Sequence, residues 1–178
     1  APKTRAAQPR PLASAGVVGG GTMGAGIAVA MLDAGMTVTM VERDEESLAR
    51  GRASVQKVYD GLVAKGRMSA EAKAAVMARF AGATAYDALS RADLVVEAVF
   101  EDMAVKKAVF AELDRVCRPG AVLATNTSYL DIDEIAAGVS RPQDVLGLHF
   151  FSPAHIMKLM EIVVPAKVSA DAVATGFA

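Results

Sequence analysis

Residue types that build covalent or metal-bound sites are scarce in this chain. Its 178 residues include one cysteine, Cys117, two histidines and no tryptophan. A single cysteine excludes an intrachain disulfide framework, and so few histidine and cysteine side chains form no cluster at metal-ligand spacing. The sequence therefore predicts a reducing compartment and metal-free chemistry.

An excess of one charge is also missing, because 19 Lys and Arg residues balance 20 Asp and Glu residues to a net charge of -1. The absence of a basic surplus argues against a nucleic-acid partner. The apolar stretch after Gly24 is interrupted by Asp33 and Gly35, so it is much shorter than the roughly 18 residues of a membrane span. We expect neither nucleic-acid binding nor a membrane span.

The length suits one α/β domain with a sizeable core. Residues 1–11 contain three prolines, one lysine, two arginines and no acid, without an apolar period. A transit peptide is also basic and acid-poor, but it is usually Ser-rich and amphipathic, so a linker is the favoured interpretation. We assign residues 1–13 to a linker and residues 14–178 to one nucleotide-binding domain.

Short apolar runs alternate with longer helical patterns from residue 15 onward, which predicts a mostly parallel sheet covered by helices. Two helical patterns, residues 45–65 and 69–78, fall between the second and third strands and predict a hairpin that projects from the sheet. The fold class is α/β, a Rossmann-type doubly wound sheet. The predicted strands cover residues 15–18, 37–41, 80–83, 94–97, 122–124, 145–148 and 160–164.

Three glycines follow the first predicted strand with the spacing Gly19-x-Gly21-x-x-Gly24. The first permits a tight turn, the second lets backbone approach a pyrophosphate, and the third lets the helix pack close to the strand. Thr22 and Met23 open that helix, whose N-terminus attracts phosphate. A glycine-rich turn alone is a weak signal, but the legible strand and helix around it favour dinucleotide binding.

Glu42 ends the second predicted strand, 18 residues after Gly24. A carboxylate there accepts hydrogen bonds from the adenosine ribose and repels a 2′-phosphate. The sequence therefore predicts NAD over NADP, although the neighbouring Arg43 argues mildly for a phosphate.

Two further loops, residues 97–101 and 125–128, leave the carboxyl ends of predicted strands, where ligands of such sheets bind. Ala98 and Val99 could flank a cofactor ring, and Lys106 could reach a ribose from the next helix. Loop capping and helix-surface charge explain these residues about equally well.

His149 emerges from the sixth predicted strand, and Glu161 lies inside the next apolar strand pattern. Because its neighbours in that strand pattern are apolar, we expect Glu161 to be at least partly buried and to need a partner. A carboxylate that holds an imidazole suits proton transfer, and we expect the two within hydrogen-bond reach. A core histidine beside an unrelated edge-strand glutamate stays open, and His155 is interpreted as structural or adjacent to acyl-CoA.

Four motifs in this order resemble the NAD-binding domain of the L-3-hydroxyacyl-CoA dehydrogenase family of fatty-acid β-oxidation. The motifs are residues 19–28, 95–101, 126–128 and 149–161. The resemblance implies NAD-dependent oxidation of an L-3-hydroxyacyl-CoA to the 3-ketoacyl-CoA.

The resemblance also implies residue roles. His149 takes the hydroxyl proton, Glu161 orients it, and Ser128 hydrogen-bonds the reacting oxygen. Glu101 and Lys106 match positions that contact the nicotinamide ribose.

Asn126 falls in the same resemblance as a cofactor-binding position, and Ser152 as a substrate-binding one. Single-function members commonly have Asn where Ser152 stands, which indicates the multifunctional hydratase-dehydrogenase branch. Family members continue into a helical domain that dimerises and closes over the acyl-CoA, and this chain lacks it. We therefore expect NAD binding but poor turnover from this chain alone.

Two other functions stay open: a non-catalytic NAD-binding module, and a dehydrogenase of a non-CoA hydroxy acid. The expected location is cytoplasmic, with mitochondrial or peroxisomal locations as the alternatives for a eukaryotic source.

Overall fold

A computed structural model describes residues 6–178, so the first five residues of the predicted linker lie outside the described part. Seven strands form one sheet in the order β3-β2-β1-β4-β5-β6-β7. The first six run parallel, and β7 pairs antiparallel with β6, which confirms the doubly wound, mostly parallel sheet. The strands are β1 (Ser14–Val18), β2 (Thr37–Val41), β3 (Phe80–Ala83), β4 (Leu94–Glu97), β5 (Val122–Thr125), β6 (Val145–Phe150) and β7 (Met160–Val163).

Polar side chains define where several helices begin. Asp44 accepts a hydrogen bond from the Ser47 N–H at 2.7 Å, and Asp102 accepts one from the Val105 N–H at 2.9 Å. Each satisfies a donor that the first helical turn leaves unpaired. The helices are α1 (Thr22–Asp33), α2 (Glu45–Ala64), α3 (Ala70–Met77), α4 (Met103–Val116), α5 (Ile132–Ala137), α6 (Ala154–Met157) and α7 (Ala170–Phe177).

The sheet separates two apolar layers, and neighbouring residues of one strand contribute to opposite layers. Val17 packs into the layer formed with α1 and α2, whereas Val18 packs into the layer formed with α4 and α5. Both faces are covered, which explains why the strands are continuous apolar runs rather than alternating ones. Within residues 6–178, no helix combines the length and the apolar character that crossing a membrane requires.

The predicted hairpin forms, but it does not simply project from the sheet. Val55 and Tyr59 of α2 are fully buried, and the Tyr59 hydroxyl donates to Asp33 of α1 at 2.9 Å. No residue of α3 is buried. The apolar stripe of α2 therefore packs on α1, and α3 forms the outer arm.

β6 extends two residues further than predicted, so His149 lies within the strand instead of after it. The extension follows from β7, because the antiparallel register pairs His149 with Glu161 and Phe150 with Met160. A partner strand satisfies backbone groups that a free strand end would leave to water.

Arg10, within the predicted linker, is held by several acceptors on the domain. Its guanidinium donates at 2.8 Å to both Asp144 and Asp171, and at 2.9 Å to the Gly120 carbonyl. The hydrogen bond from Arg10 to Asp171, followed by one from the Ser169 hydroxyl, holds the pKa of Asp171 well below its usual range. Docking on the domain therefore begins before residue 14.

Replacing Arg10 with Ala should lower the unfolding free energy by about 2–4 kcal/mol, because Asp144 is buried and would lose its partner. Chemical denaturation near neutral pH measures this. Since the pKa of Asp171 is lowered on folding, its contribution is fully present above the unfolded value, about 4, and is lost progressively as the pH falls from there toward the folded value. The difference in unfolding free energy between wild type and variant should therefore become smaller at acid pH.

Arg50→Ala is the matched control, because Arg50 forms an exposed ion pair with Glu46. Such pairs contribute about 0–1 kcal/mol. Equal losses for the two variants would contradict a structural role for Arg10.

Candidate active site

The glycine turn, residues 19–21, joins β1 to α1 at the carboxyl edge of the sheet. Gly19 has a φ of +99°, and its N–H donates to the Val41 carbonyl at 3.0 Å. The helix approaches so closely that a Cβ on Gly24 would lie 1.9 Å from the Gly19 carbonyl oxygen. Backbone contact therefore requires glycine at both ends of the motif.

Gly21 differs, because a Cβ built on it has no heavy atom within 4 Å. It is the N-cap of α1, and the first turn has neither a side-chain cap nor an acidic residue. The N–H groups of this turn, which begins at Thr22, are thus left for an anionic ligand. The open space over Gly21 and these donors fit a dinucleotide pyrophosphate.

Glu42 is half-buried directly after β2, and its Oε1 accepts a hydrogen bond from the Gly20 N–H at 3.1 Å. Arg43 is mostly exposed, and its Nε lies 3.2 Å from Asp44, which compensates its charge. Both Glu42 and Arg43 line the groove, but Asp44 offsets the charge of Arg43, so the Glu42 carboxylate disfavours a 2′-phosphate. A first cleft of about 590 Å³ is lined by Gly19, Gly21, Glu42, Tyr86, Ala98 and Val99, among others.

A second cleft, of about 440 Å³, adjoins the first and shares Ala98 and Val99 with it. The two clefts meet beyond β1 and β4, where the strand order reverses and ligands of open α/β sheets bind. The predicted site residues that line the second cleft are Met23, Ala98, Val99, Glu101, Asn126, Ser128, His149 and Ser152.

Asn126 links the ends of three strands. Its N–H donates to the Glu97 carbonyl at 2.9 Å, and its Oδ1 accepts from the Phe150 N–H at 2.9 Å. Ser128 follows on the exposed side of the turn, and its N–H donates to Glu101 at 3.1 Å. The Ser128 hydroxyl is therefore free to meet a ligand in the cleft.

Glu101 connects the loop after β4, in which it lies, to the turn after β5. It accepts a hydrogen bond from the Thr127 hydroxyl and lies 3.3 Å from Lys106. Partial burial raises the pKa of Glu101, but the Thr127 hydrogen bond, the Lys106 charge and the Ser128 N–H together lower it below its ordinary value. Glu101 is thus a fixed carboxylate at neutral pH.

Lys106 is 1% exposed, and its Nζ donates to Glu97 at 2.7 Å and to the Val99 carbonyl at 3.3 Å. The interpretation of Lys106 as a charge on the helix surface is therefore excluded. Glu97 is the buried acid that the sequence did not single out. The one available signal was a carboxylate at the end of an otherwise apolar strand, nine residues before a lysine.

His149 and Glu161 lie directly opposite each other on β6 and β7, with the His149 Nδ1 3.1 Å from the Glu161 Oε2. If Nδ1 carries the proton and donates it to Glu161, Nε2 keeps a lone pair for a ligand hydroxyl. The imidazole also packs against Phe151, with ring centroids 4.8 Å apart. The pair can accept a proton at the end of the second cleft.

Glu161 was expected to be at least partly buried, but most of its side chain, 61%, is exposed. β7 is the edge strand of the sheet, and its outward positions alternate with covered ones. Apolar neighbours in sequence point to the other face or are themselves exposed, so they do not bury the carboxylate.

Ser152 is exposed at the rim of the second cleft, on the loop that follows β6. His155 lies in α6 and lines a separate cavity with Lys158. It does not line the cleft that contains His149, although Phe150 borders both cavities. Within residues 6–178, no group of three or more metal-ligating side chains lies together.

A glycine turn at a helix N-terminus, an acid after β2 and a histidine-carboxylate pair at the end of the same groove define a nicotinamide dinucleotide-binding dehydrogenase domain. Residues 14–178 match the family model described as "3-hydroxyacyl-CoA dehydrogenase, NAD binding domain". The chain belongs to this family, and NAD is confirmed as the cofactor of the domain.

Similar proteins and solved structures support the same family assignment. The chain is 46% identical over 174 residues to the peroxisomal bifunctional enzyme of Cavia porcellus, covering 97% of this chain and 23% of the relative. It is 43% identical over 171 residues to the Homo sapiens enzyme of the same name, covering 96% and 23%. The crystal structure of M. tuberculosis FadB2 superimposes with a TM-score of 0.90 at 40% identity, covering 93% and 59%.

The chain thus spans about a quarter of the length of the bifunctional relatives. Their name agrees with the multifunctional branch indicated by Ser152.

Replacing Gly21 with Ala should leave folding almost unchanged, within about 1 kcal/mol, because its Cβ meets no protein atom. The NAD dissociation constant should rise at least about tenfold, since the methyl group would separate the backbone from the pyrophosphate. Denaturation and calorimetric titration of the chain measure the two quantities.

Gly24→Ala is the matched comparison, because its Cβ would collide with the Gly19 carbonyl. It should lower the unfolding free energy by at least about 2 kcal/mol and weaken NAD binding as well. Undiminished NAD binding by the Gly21 variant would contradict pyrophosphate contact at this turn.

Proposed function

We propose that this domain binds NAD and supplies the proton acceptor for oxidation of an L-3-hydroxyacyl-CoA to the 3-ketoacyl-CoA in fatty-acid β-oxidation. The observation that carries the proposal is the 3.1 Å contact between His149 and Glu161 at a cleft continuous with the dinucleotide groove. Family membership supports the substrate class.

The chemistry divides between a hydride and a proton. The hydride from C3 of the substrate would pass to NAD, the acceptor that the bound cofactor would supply. The His149 Nε2 takes the hydroxyl proton, and Glu161 stabilises the imidazolium that results. The Ser128 hydroxyl donates a hydrogen bond to the same oxygen as it becomes a carbonyl.

The remaining site residues bind and orient. Ala98, Val99 and Asn126 line the second cleft and would hold the nicotinamide. Glu101 would contact the nicotinamide ribose, with Lys106 3.3 Å from the Glu101 carboxylate. Ser152, exposed at the rim, contacts the substrate beyond its reacting carbon.

Two alternative functions remain distinct from this one. A non-catalytic NAD-binding module would not need a histidine-carboxylate pair at the cleft, so the pair argues against it. A dehydrogenase of a non-CoA hydroxy acid could use the same pair, and only substrate assays separate it from the proposal.

The complete protein is proposed to contain a helical domain after this one and a hydratase domain, and to form a homodimer. The bifunctional relatives, about four times longer than the aligned segment, support additional domains. The animal relatives are named as peroxisomal, whereas the location of this protein stays a prediction.

Replacing Glu161 with Gln in the full-length protein should slow the chemical step about 10–100-fold, and His149→Gln should slow it at least as much. The double variant should be no slower than His149→Gln, because the two residues act as one unit. Single-turnover formation of NADH from 3-hydroxybutyryl-CoA measures this, and NAD affinity should change less than about twofold.

Glu112→Gln serves as the control, since Glu112 forms an exposed ion pair with Arg115 on α4. It should leave the rate unchanged. Multiplicative losses from His149 and Glu161 would contradict the pairing.

The 178-residue chain alone should bind NAD but turn over 3-hydroxybutyryl-CoA at least about 100-fold more slowly than the full-length protein. Positioning of the acyl-CoA and exclusion of water depend on surfaces outside this domain. Parallel NADH assays of the two proteins test this. Equal turnover would show that the substrate site lies wholly within this chain.

A further inference from the structure

Glu97 is a fully buried carboxylate with three donors around it. Its Oε1 accepts from Lys106 Nζ at 2.7 Å and from the Val99 N–H at 2.8 Å. Its Oε2 accepts from the Thr125 hydroxyl at 2.7 Å. Both oxygens are therefore engaged, and no group remains for Glu97 to offer a ligand directly.

Each of the three donors lines the second cleft or is linked to a residue that does. Val99 lines both clefts. The Thr125 Oγ1 also accepts from the Thr127 N–H at 3.2 Å, which fixes the turn that leads to Ser128. Lys106 reaches Glu101, and Glu101 accepts from the Ser128 N–H. The Glu97 carboxylate thus fixes both Val99 and the turn that leads to Ser128.

Stability of the core alone does not account for this arrangement. Burying two charges costs desolvation energy, and apolar residues of similar volume often serve a core equally well or better. The buried pair is instead located where β4 and β5 end, which is the part of the sheet that builds the cleft. Orientation of the loops is the benefit that apolar packing could not provide.

We propose that Glu97 is a positioning residue of the active site, which fixes Val99 and the Ser128 turn through Lys106 and Thr125. The inference rests on the proposed function, because it assigns the nicotinamide half of NAD to the second cleft. The adenosine half lies at Gly21 and Glu42, which form no hydrogen bond with Glu97, so Glu97 affects it only through Val99 at the border of the two clefts.

The test compares ADP, which contacts only the adenosine half, with NAD, which contacts both. In Glu97→Gln, an amide replaces one acceptor oxygen and faces a donor. The NAD dissociation constant of the chain should rise about tenfold, and that of ADP should stay within about twofold. Calorimetric titration measures both ligands on the same protein.

Thr125→Val tests the same network without altering its charge and covers the case in which Glu97→Gln fails to fold. It removes the hydroxyl that donates to Glu97 and accepts from the Thr127 N–H, so NAD should weaken about threefold while ADP is unchanged. Asp144→Asn is the matched control, because Asp144 is a buried, ion-paired carboxylate at the amino end of β6. It should lower the unfolding midpoint and leave both affinities unchanged.

In the full-length protein, Glu97→Gln should lower kcat for 3-hydroxybutyryl-CoA at least about 30-fold, with KM for that substrate within about threefold. Equal weakening of ADP and NAD, or NAD affinity that survives both variants, overturns the positioning role. Failure of the wild-type chain to bind either nucleotide would instead refute the proposed function itself.

Discussion

The contact between Gly24 and the Gly19 carbonyl is the constraint on which the rest of the site depends. A Cβ there would lie 1.9 Å from the oxygen, so only glycine lets α1 begin directly behind β1. That placement directs the N-terminus of α1 across the carboxyl edge of the sheet. The nucleotide groove, the loops after β4 and β5, and the end of β6 all meet around it.

Much of this arrangement follows from local signals. Apolar runs located the strands because both faces of the sheet are covered, and Asp102 marked the start of α4 because it caps that helix. The proximity of His149 and Glu161 follows from pairing of two neighbouring strands. Each of these signals lies in the same element, or pair of neighbouring strands, as the feature that it predicts.

Other features depend on how the elements are arranged in three dimensions, which a single sequence does not show directly. The exposure of Glu161 depends on β7 being the edge strand, and the partners of Arg10 are more than 100 residues away. The pairing of Glu97 with Lys106 requires α4 to lie back over β4. The sequence shows that these residues are charged, but it does not show which partner each of them contacts.

The exposed carboxylate of Glu161 makes the histidine pair sensitive to its surroundings. At 3.1 Å the attraction between opposite charges varies inversely with the local dielectric constant, and dissolved ions screen it further. In open solution the pair is therefore weak, and it strengthens when a surface displaces water from β7. A ligand that covered this edge of the sheet would therefore hold the imidazole more firmly against the carboxylate than open solvent does.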